Sequence, residues 1–271
     1  MKKWTCASIM VVAACVVTVY FTPPISDSYE GRAVHLSFDD VDIAMRQLTE
    51  DSTKYCSIFD HPFFRYLLYL HESYDAKMTL YIYSENKDYS VSDFPNCYKP
   101  EFEQNADWLK LGFHAIRPNH SEVETSQLER FAVAYEKTES SIVRFAGKDC
   151  MSHTLRLHYW QCTEEERAFL AQHGVRTLLT CDDTRQSYAL PIEVCSLLQE
   201  QGHWADDELR YLRTDFRTEH IKWSPWLALL NHTENDTIVI FTHEWALTRS
   251  NKRVLERMLH ILQQHHVYYT H

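Results

Sequence analysis

The chain has 271 residues, a formal net charge of −11 and 45% hydrophobic residues, so one large domain or two small ones can be buried. Its 27 basic residues are scattered and outnumbered by 38 acidic ones, which argues against a nucleic-acid partner, whose phosphates would be repelled. Only 5 glycines occur, so glycine-rich phosphate loops and dinucleotide fingerprints are excluded.

The chain opens with "MKKWTCASIMVVAACVVTVYFTPP". Lys2 and Lys3 precede an apolar run from Trp4 to Phe21, which Pro23 and Pro24 end. The run is at the lower limit for spanning a hydrocarbon core of about 30 Å. It reads as an uncleaved membrane anchor, as a cleaved secretory signal, or, through "VAAC" at Cys15, as a lipidation site. All three readings export the rest of the chain to the cell surface or beyond, and contact with a membrane is expected only through this segment. Residues 1–30 are therefore set apart from 31–271.

Beyond the leader, strands and helices alternate. "AVHLSF" (33–38) reads as a strand, and "HPFFRYLLYLHESY" (61–74) as a helix with Pro62 in its first turn. "KMTLYIY" (77–83) and "LKLGFHA" (109–115) read as strands, separated by a polar excursion. A helix follows over 125–143, then a strand in "TLRLHYW" (154–160). "TEEERAFLAQHG" (163–174) carries a capping box, Thr163 with Glu166, and a glycine stop. "VRTLLTC" (175–181) is a strand, 185–235 has no clear pattern, "TIVIFTHEW" (237–245) is a strand and 250–264 an amphipathic helix. Such alternation implies a largely parallel sheet, and 31–271 reads as one α/β domain, a barrel.

Polar residues gather at the strand ends. The first strand ends in Asp39 and Asp40. The third ends in His114, with His120 close behind. The fourth carries Arg156 and His158, the fifth ends in Asp182 and Asp183, and the last in His243 and Glu244. In parallel α/β barrels these ends share one face, where active sites are built. A lone histidine at such a place is commonly structural; five strands ending this way point to a site.

In this order the motifs resemble those of the NodB-type polysaccharide deacetylases, metal-dependent carbohydrate deacetylases on a distorted (β/α) barrel. "SFDDVD" stands for T-F-D-D-G, "FHAIRPNHS" for the histidine pair, and "RLHYW" for R-x-P-Y-G. Asp182 in "LLTCDD" stands for the fourth motif and "IVIFTHEW" for the fifth. The resemblance spans about residues 31–265. Departures are Val41 for the glycine of the first motif, and His158 and Trp160 for the proline and glycine of the third. The histidines are also spaced H-x5-H.

The resemblance implies parallel strands with outer helices and one divalent metal, zinc suiting the donor set, held by Asp40, His114 and His120, with His158 the alternative third ligand. It further implies Asp39 as general base, Arg156 orienting it, the Tyr159 N–H as an oxyanion donor, His243 as general acid and Asp182 keeping His243 cationic. The implied substrate is an acetylated glycan. A glycoside hydrolase and a non-catalytic carbohydrate-binding protein are the alternatives. The former fits adjacent carboxylates poorly, because it needs two acids across a cleft.

Six cysteines after residue 30 permit disulfides in fifteen connectivities, or free buried thiols. Trp160, Trp204, Trp223, Trp226 and Trp245 are core or sugar-stacking candidates, with core packing expected of any one. "RTDFRTE" (213–219) reads as an exposed charged face, with a place in the cleft as the alternative. Oligomeric state is not legible.

Overall fold

A computed structural model gives the structure of residues 30–87, 89–118, 128–221, 225–230 and 236–271, with only the backbone of Trp226, Leu227 and Leu230. The N-terminal apolar stretch, His120 and Trp223 lie outside these residues. Among the described residues no helix is long and apolar enough to cross a membrane.

Strand β1 (Ala33–Asp39) is buried along its length. Its side chains alternate between two environments, as the pleat requires. Val34, Leu36 and Phe38 pack outward with Leu67 and Leu70 of a helix over Pro62–Tyr74 and with Met258, Leu259 and Leu262 of one over Arg249–Gln264. His35, Ser37 and Asp39 occupy the opposite face, and all three are buried. The "apolar" strand is thus apolar on its helix-facing side and polar on its inner side.

A short helix, α1 (Ile43–Glu50), follows at once. The Pro62–Tyr74 helix is α2; Pro62 sits in its first turn and His61 caps it, Nδ1 accepting from Phe63 N–H. Strand β2 is Met78–Tyr83, and a small antiparallel pair, β3 (Glu85–Asn86) and β4 (Tyr89–Ser90), fills the excursion. Next come α3 (Lys99–Gln104), β5 (Leu109–Ala115) and α4 (Leu128–Ala146). Strand β6 is Thr154–Leu155 only, and α5 (Glu164–Gln172) carries the Thr163–Glu166 capping box. Strand β7 (Thr177–Leu179), α6 (Ile192–Gln201), β8 (His203–Ala205), β9 (Arg210–Leu212), β10 (Phe216–Arg217) and α7 (Pro225–Leu230) occupy the stretch without a clear sequence pattern and its approach. The chain finishes with β11 (Thr237–His243), the Arg249–Gln264 helix, here α8, and β12 (Tyr268–Tyr269).

The strands form a parallel sheet ordered β10-β11-β1-β2-β5, with β12 alongside β1, and a second sheet ordered β6-β7-β9-β8. Only β8 in the second sheet is antiparallel. The sheets meet at two seams, which makes a distorted (β/α) barrel rather than one continuous ladder. At one seam Leu111 bridges Met151, and Ser152 N–H donates to Leu111 O at 2.9 Å. Gly112 permits this approach, since a Cβ there would lie 2.8 Å from Leu155 Cδ2. At the other the chain itself crosses: β9 pairs with β7, and β10, which follows it, pairs with β11, with Asp215 N–H donating to Val239 O at 2.9 Å just ahead of that pair.

The fourth predicted strand is shorter than its sequence pattern. After Leu155 the chain turns through a 3-10 segment, His158–Trp160, with Tyr159 and Trp160 in left-handed conformation. Two such residues in succession stop an extended run. All six cysteines after residue 30 are free: Cys150, Cys162, Cys181 and Cys195 are buried, while Cys56 and Cys97 are exposed.

Candidate active site

The ends of β1, β5 and β11, with the turn after β6, converge on a cavity of about 240 Å3. Asp39, Asp40, His114, Arg156, His158, Tyr159 and His243 all line it.

The two adjacent acids face different partners. Asp39 continues the inner face of β1 and is 2% exposed. Its Oδ2 lies 3.2 Å from Arg156 Nε. Arg156 is itself fully buried, donates to Thr214 Oγ1, and lies 4.1 Å over the Phe241 ring. Burial raises the Asp39 carboxyl above the usual range, against the pull of Arg156 and the neighbouring histidines.

Asp40 is turned out of the strand by a left-handed backbone, φ 55°. Aspartate tolerates that region better than most residues. The expected glycine one residue later is therefore not needed: Val41 is buried, and its N–H donates to Tyr81 O at 3.1 Å. Asp40 Oδ1 accepts from the Tyr83 hydroxyl and lies 3.2 Å from His114 Nε2. Its Oδ2 accepts from Trp245 Nε1 at 2.8 Å. Burial works against the Asp40 charge, but the neighbouring His114 and the Tyr83 hydroxyl outweigh it and hold the carboxyl well below the usual range.

His114 comes from the buried end of β5. Its Nδ1 donates to the Arg156 carbonyl at 2.6 Å, and its Nε2 points at Asp40. His158 stands where the resembling motif has proline. Its Nε2 lies 3.8 Å from Asp40 Oδ1, and burial, with His114 nearby, lowers its pKa to about 3 and keeps it neutral. One donor atom each from Asp40, His114 and His158 lie within 4.8 Å of one another. A carboxylate and two imidazoles, one of them neutral and the other with a buried nitrogen lacking a hydrogen-bond partner, fit a divalent transition ion.

Trp160 takes the place of the motif's glycine, with φ 55°. Left-handed backbone at a non-glycine residue costs of order 1–2 kcal/mol. Burial of its indole, 6% exposed, offsets that cost. Tyr159 projects outward, 55% exposed, with its ring stacked on His158 at 4.0 Å. Trp245 mirrors it across the cavity, 59% exposed and stacked on His243 at 4.8 Å. Of the remaining tryptophans described, Trp204 packs against the core.

Two expectations are corrected. Asp182 does not orient His243: it lies 3.2 Å from His220 Nδ1. The partner of His243 is Glu219, whose Oε1 meets Nδ1 at 2.5 Å and also accepts the His243 N–H at 3.0 Å. Burial disfavours the Glu219 charge, but the bond to His243 outweighs it and lowers the pKa. The second correction follows. The segment 213–219 is not an exposed face, because it crosses from one sheet to the other with Thr214, Phe216 and Thr218 buried and Arg217 in the cavity wall. Two of its charges, Arg217 and Glu219, reach the site, a role that charge counting in sequence cannot separate from solvation. His120 lies outside the described residues.

In the sequence Glu244 is only a polar strand end. Its Oε2 accepts the N–H groups of Asp42 and Ile43, each at 3.0 Å, and its Oε1 that of Ala44 at 2.8 Å. It thus caps α1 from two hundred residues away and ties the end of β11 to the Asp39–Asp40 turn. Burial pushes its pKa up to about 7 against those three bonds.

No family model and no curated protein matches the chain. Among solved structures, it is similar to a peptidoglycan N-acetylglucosamine deacetylase at 15% identity and TM-score 0.52, over 89% of this chain and 86% of that one. It is also similar to a CE4 esterase from Streptococcus mutans at 12% identity and TM-score 0.50, over 90% and 87%. At such identities the likeness establishes a shared fold.

Proposed function

We propose that the protein is a metal-dependent hydrolase that removes acetyl groups from a carbohydrate, acting outside the cytoplasm behind its N-terminal apolar stretch. The observation that carries this reading is the division of labour between Asp39 and Asp40. One is held by Arg156 in a buried ion pair; the other gathers with His114 and His158. The deacetylase and esterase of the same fold support the substrate class. A glycoside hydrolase would need two carboxylates across a cleft.

Asp40, His114 and His158 would hold the ion, with His120 a further candidate. A bound divalent ion supplies Lewis-acid polarisation of the acetyl carbonyl and acidifies water. Asp39 accepts the proton of the attacking water, its raised pKa making it a better base than an exposed aspartate. Arg156 orients that carboxylate. The Tyr159 N–H would donate to the developing oxyanion. His243 presents Nε2 to the cavity and protonates the departing sugar nitrogen or oxygen, while Glu219 accepts its Nδ1–H and fixes the ring. Tyr159 and Trp245 offer ring faces on which a sugar can stack.

The test is elemental analysis of the purified protein together with acetate release from N- and O-acetylated glycans. Stoichiometric metal with acetate release supports the reading. Metal without acetate release from any glycan points to a carbohydrate-binding protein, and absence of bound metal after zinc loading overturns it.

A further inference from the structure

Arg217 has no assigned task in this chemistry. It lies on β10, register-paired with Phe241 of β11, and its guanidinium stands 5.5 Å over the Phe241 ring in the cavity wall. Arg156 sits over the same ring, but Asp39 and Thr214 answer it. Arg185, the other guanidinium of the wall, is gripped by both oxygens of Asp183 at 2.6–2.9 Å. Arg217 has neither kind of partner among the described residues, and its Nε is buried without a hydrogen bond.

A half-buried cation without a counterion is costly to hold in a fold. The nearby carboxylates are committed elsewhere: Asp39 to Arg156, Asp40 to His114 and Tyr83, and Glu219 to His243. What remains open to Arg217 is the cavity. A guanidinium presents a planar fork of donors that matches a carboxylate in two-pronged fashion. The protein as a whole carries a charge of −11, which repels anionic glycans, so a dedicated cation inside the cavity is what would admit one.

We infer that Arg217 recognises a carboxylate on the glycan, so that the substrate is an acidic polysaccharide whose acetylated sugar, or the sugar next to it, carries a uronate-type carboxyl group. The inference rests on reading the site as a deacetylase. Arg217 acts in selection of the substrate and touches none of the reacting atoms.

The experiment compares an O-acetylated oligouronate with the same oligomer after reduction of its carboxyl groups to hydroxymethyl groups. The purified full chain should favour the acidic oligomer about 10–100-fold in kcat/KM, mainly through KM. That preference should shrink as salt rises from 50 to 500 mM, about tenfold in ionic strength. Arg217→Met should bring the ratio of the two substrates close to one, and Arg217→Lys, which keeps the charge without the fork, should fall between. Calorimetric titration with the unacetylated oligouronate and its reduced form reads the same preference without turnover. A wild-type protein indifferent to the carboxyl groups, or an Arg217→Met protein that keeps the preference, overturns the inference. Acetate release that ignores the carboxyls sinks this inference and leaves the deacetylase reading intact. An Arg217-dependent binding preference without any acetate release does the reverse.

Discussion

Asp39 and His243 are register partners on adjacent parallel strands, at the last paired position of β1 and β11. The ladder that holds them is buried on both strands, and it fixes the proposed base and acid at one level of the barrel. Glu219 then fixes the His243 ring, and Arg156 fixes the Asp39 carboxylate. Both groups are thus placed by backbone pairing and aimed by one charged neighbour each.

Asp39→Asn should keep the bound metal, because Asp40 is the acid that gathers with the histidines. Acetate release should fall about 10²–10⁴-fold, the usual worth of a general base. Asp40→Asn should lose metal and activity together. Metal analysis beside acetate assays reads both; near-normal turnover in Asp39→Asn would remove it as the base.

His243→Ala should cost about 10²–10⁴-fold in acetate release with metal retained. Glu219→Gln should cost less, about 10–100-fold, because an amide oxygen can still accept the Nδ1–H that orients the ring. Asp182→Asn should leave acetate release near wild type, since Asp182 faces His220. A large loss in the Asp182 variant and none in the Glu219 variant would reverse the assignment.

His158→Ala should weaken zinc affinity at least tenfold, measured by competition with a chelator. The burial that keeps this imidazole neutral also keeps its lone pair free for a metal. His120→Ala, measured alongside, decides between the two candidates: metal lost in the His120 variant and kept in the His158 variant would assign the third ligand to His120.

Glu244→Ala should destabilise the fold by about 2–4 kcal/mol, because three N–H groups at the start of α1 lose their acceptor at once. Its carboxyl titrates near pH 7 in the fold, against 4.5 as its ordinary value. The folded chain therefore holds this proton more tightly than the unfolded one. Its contribution is complete below about pH 4.5 and is lost as pH rises through 7, about 3 kcal/mol in all. Denaturant unfolding at pH 5 and pH 8 should show a smaller pH dependence in Glu244→Gln than in wild type. An identical dependence in both would show that Glu244 is not the group responsible.

The sequence by itself determined the alternation of parallel strands and helices, the capping box at Thr163, and the strand ends on which Asp39, Asp40, His114, Arg156 and His243 sit. These are properties of short stretches: periodicity, caps, and the point at which an apolar run stops. Tertiary structure decided the rest, because it depends on residues far apart in the chain. The acid behind His243 is Glu219, brought there by a crossing between sheets that resembles a solvated charge run in sequence. Asp40, His114 and His158 become one group only when β1, β5 and the turn after β6 close on one another. Glu244 caps a helix 200 residues earlier because β1 and β11 are neighbours in the sheet. Even the two acids that end the first strand separate only in three dimensions: the pleat sends Asp39 inward to Arg156, and a left-handed backbone turns Asp40 toward the histidines.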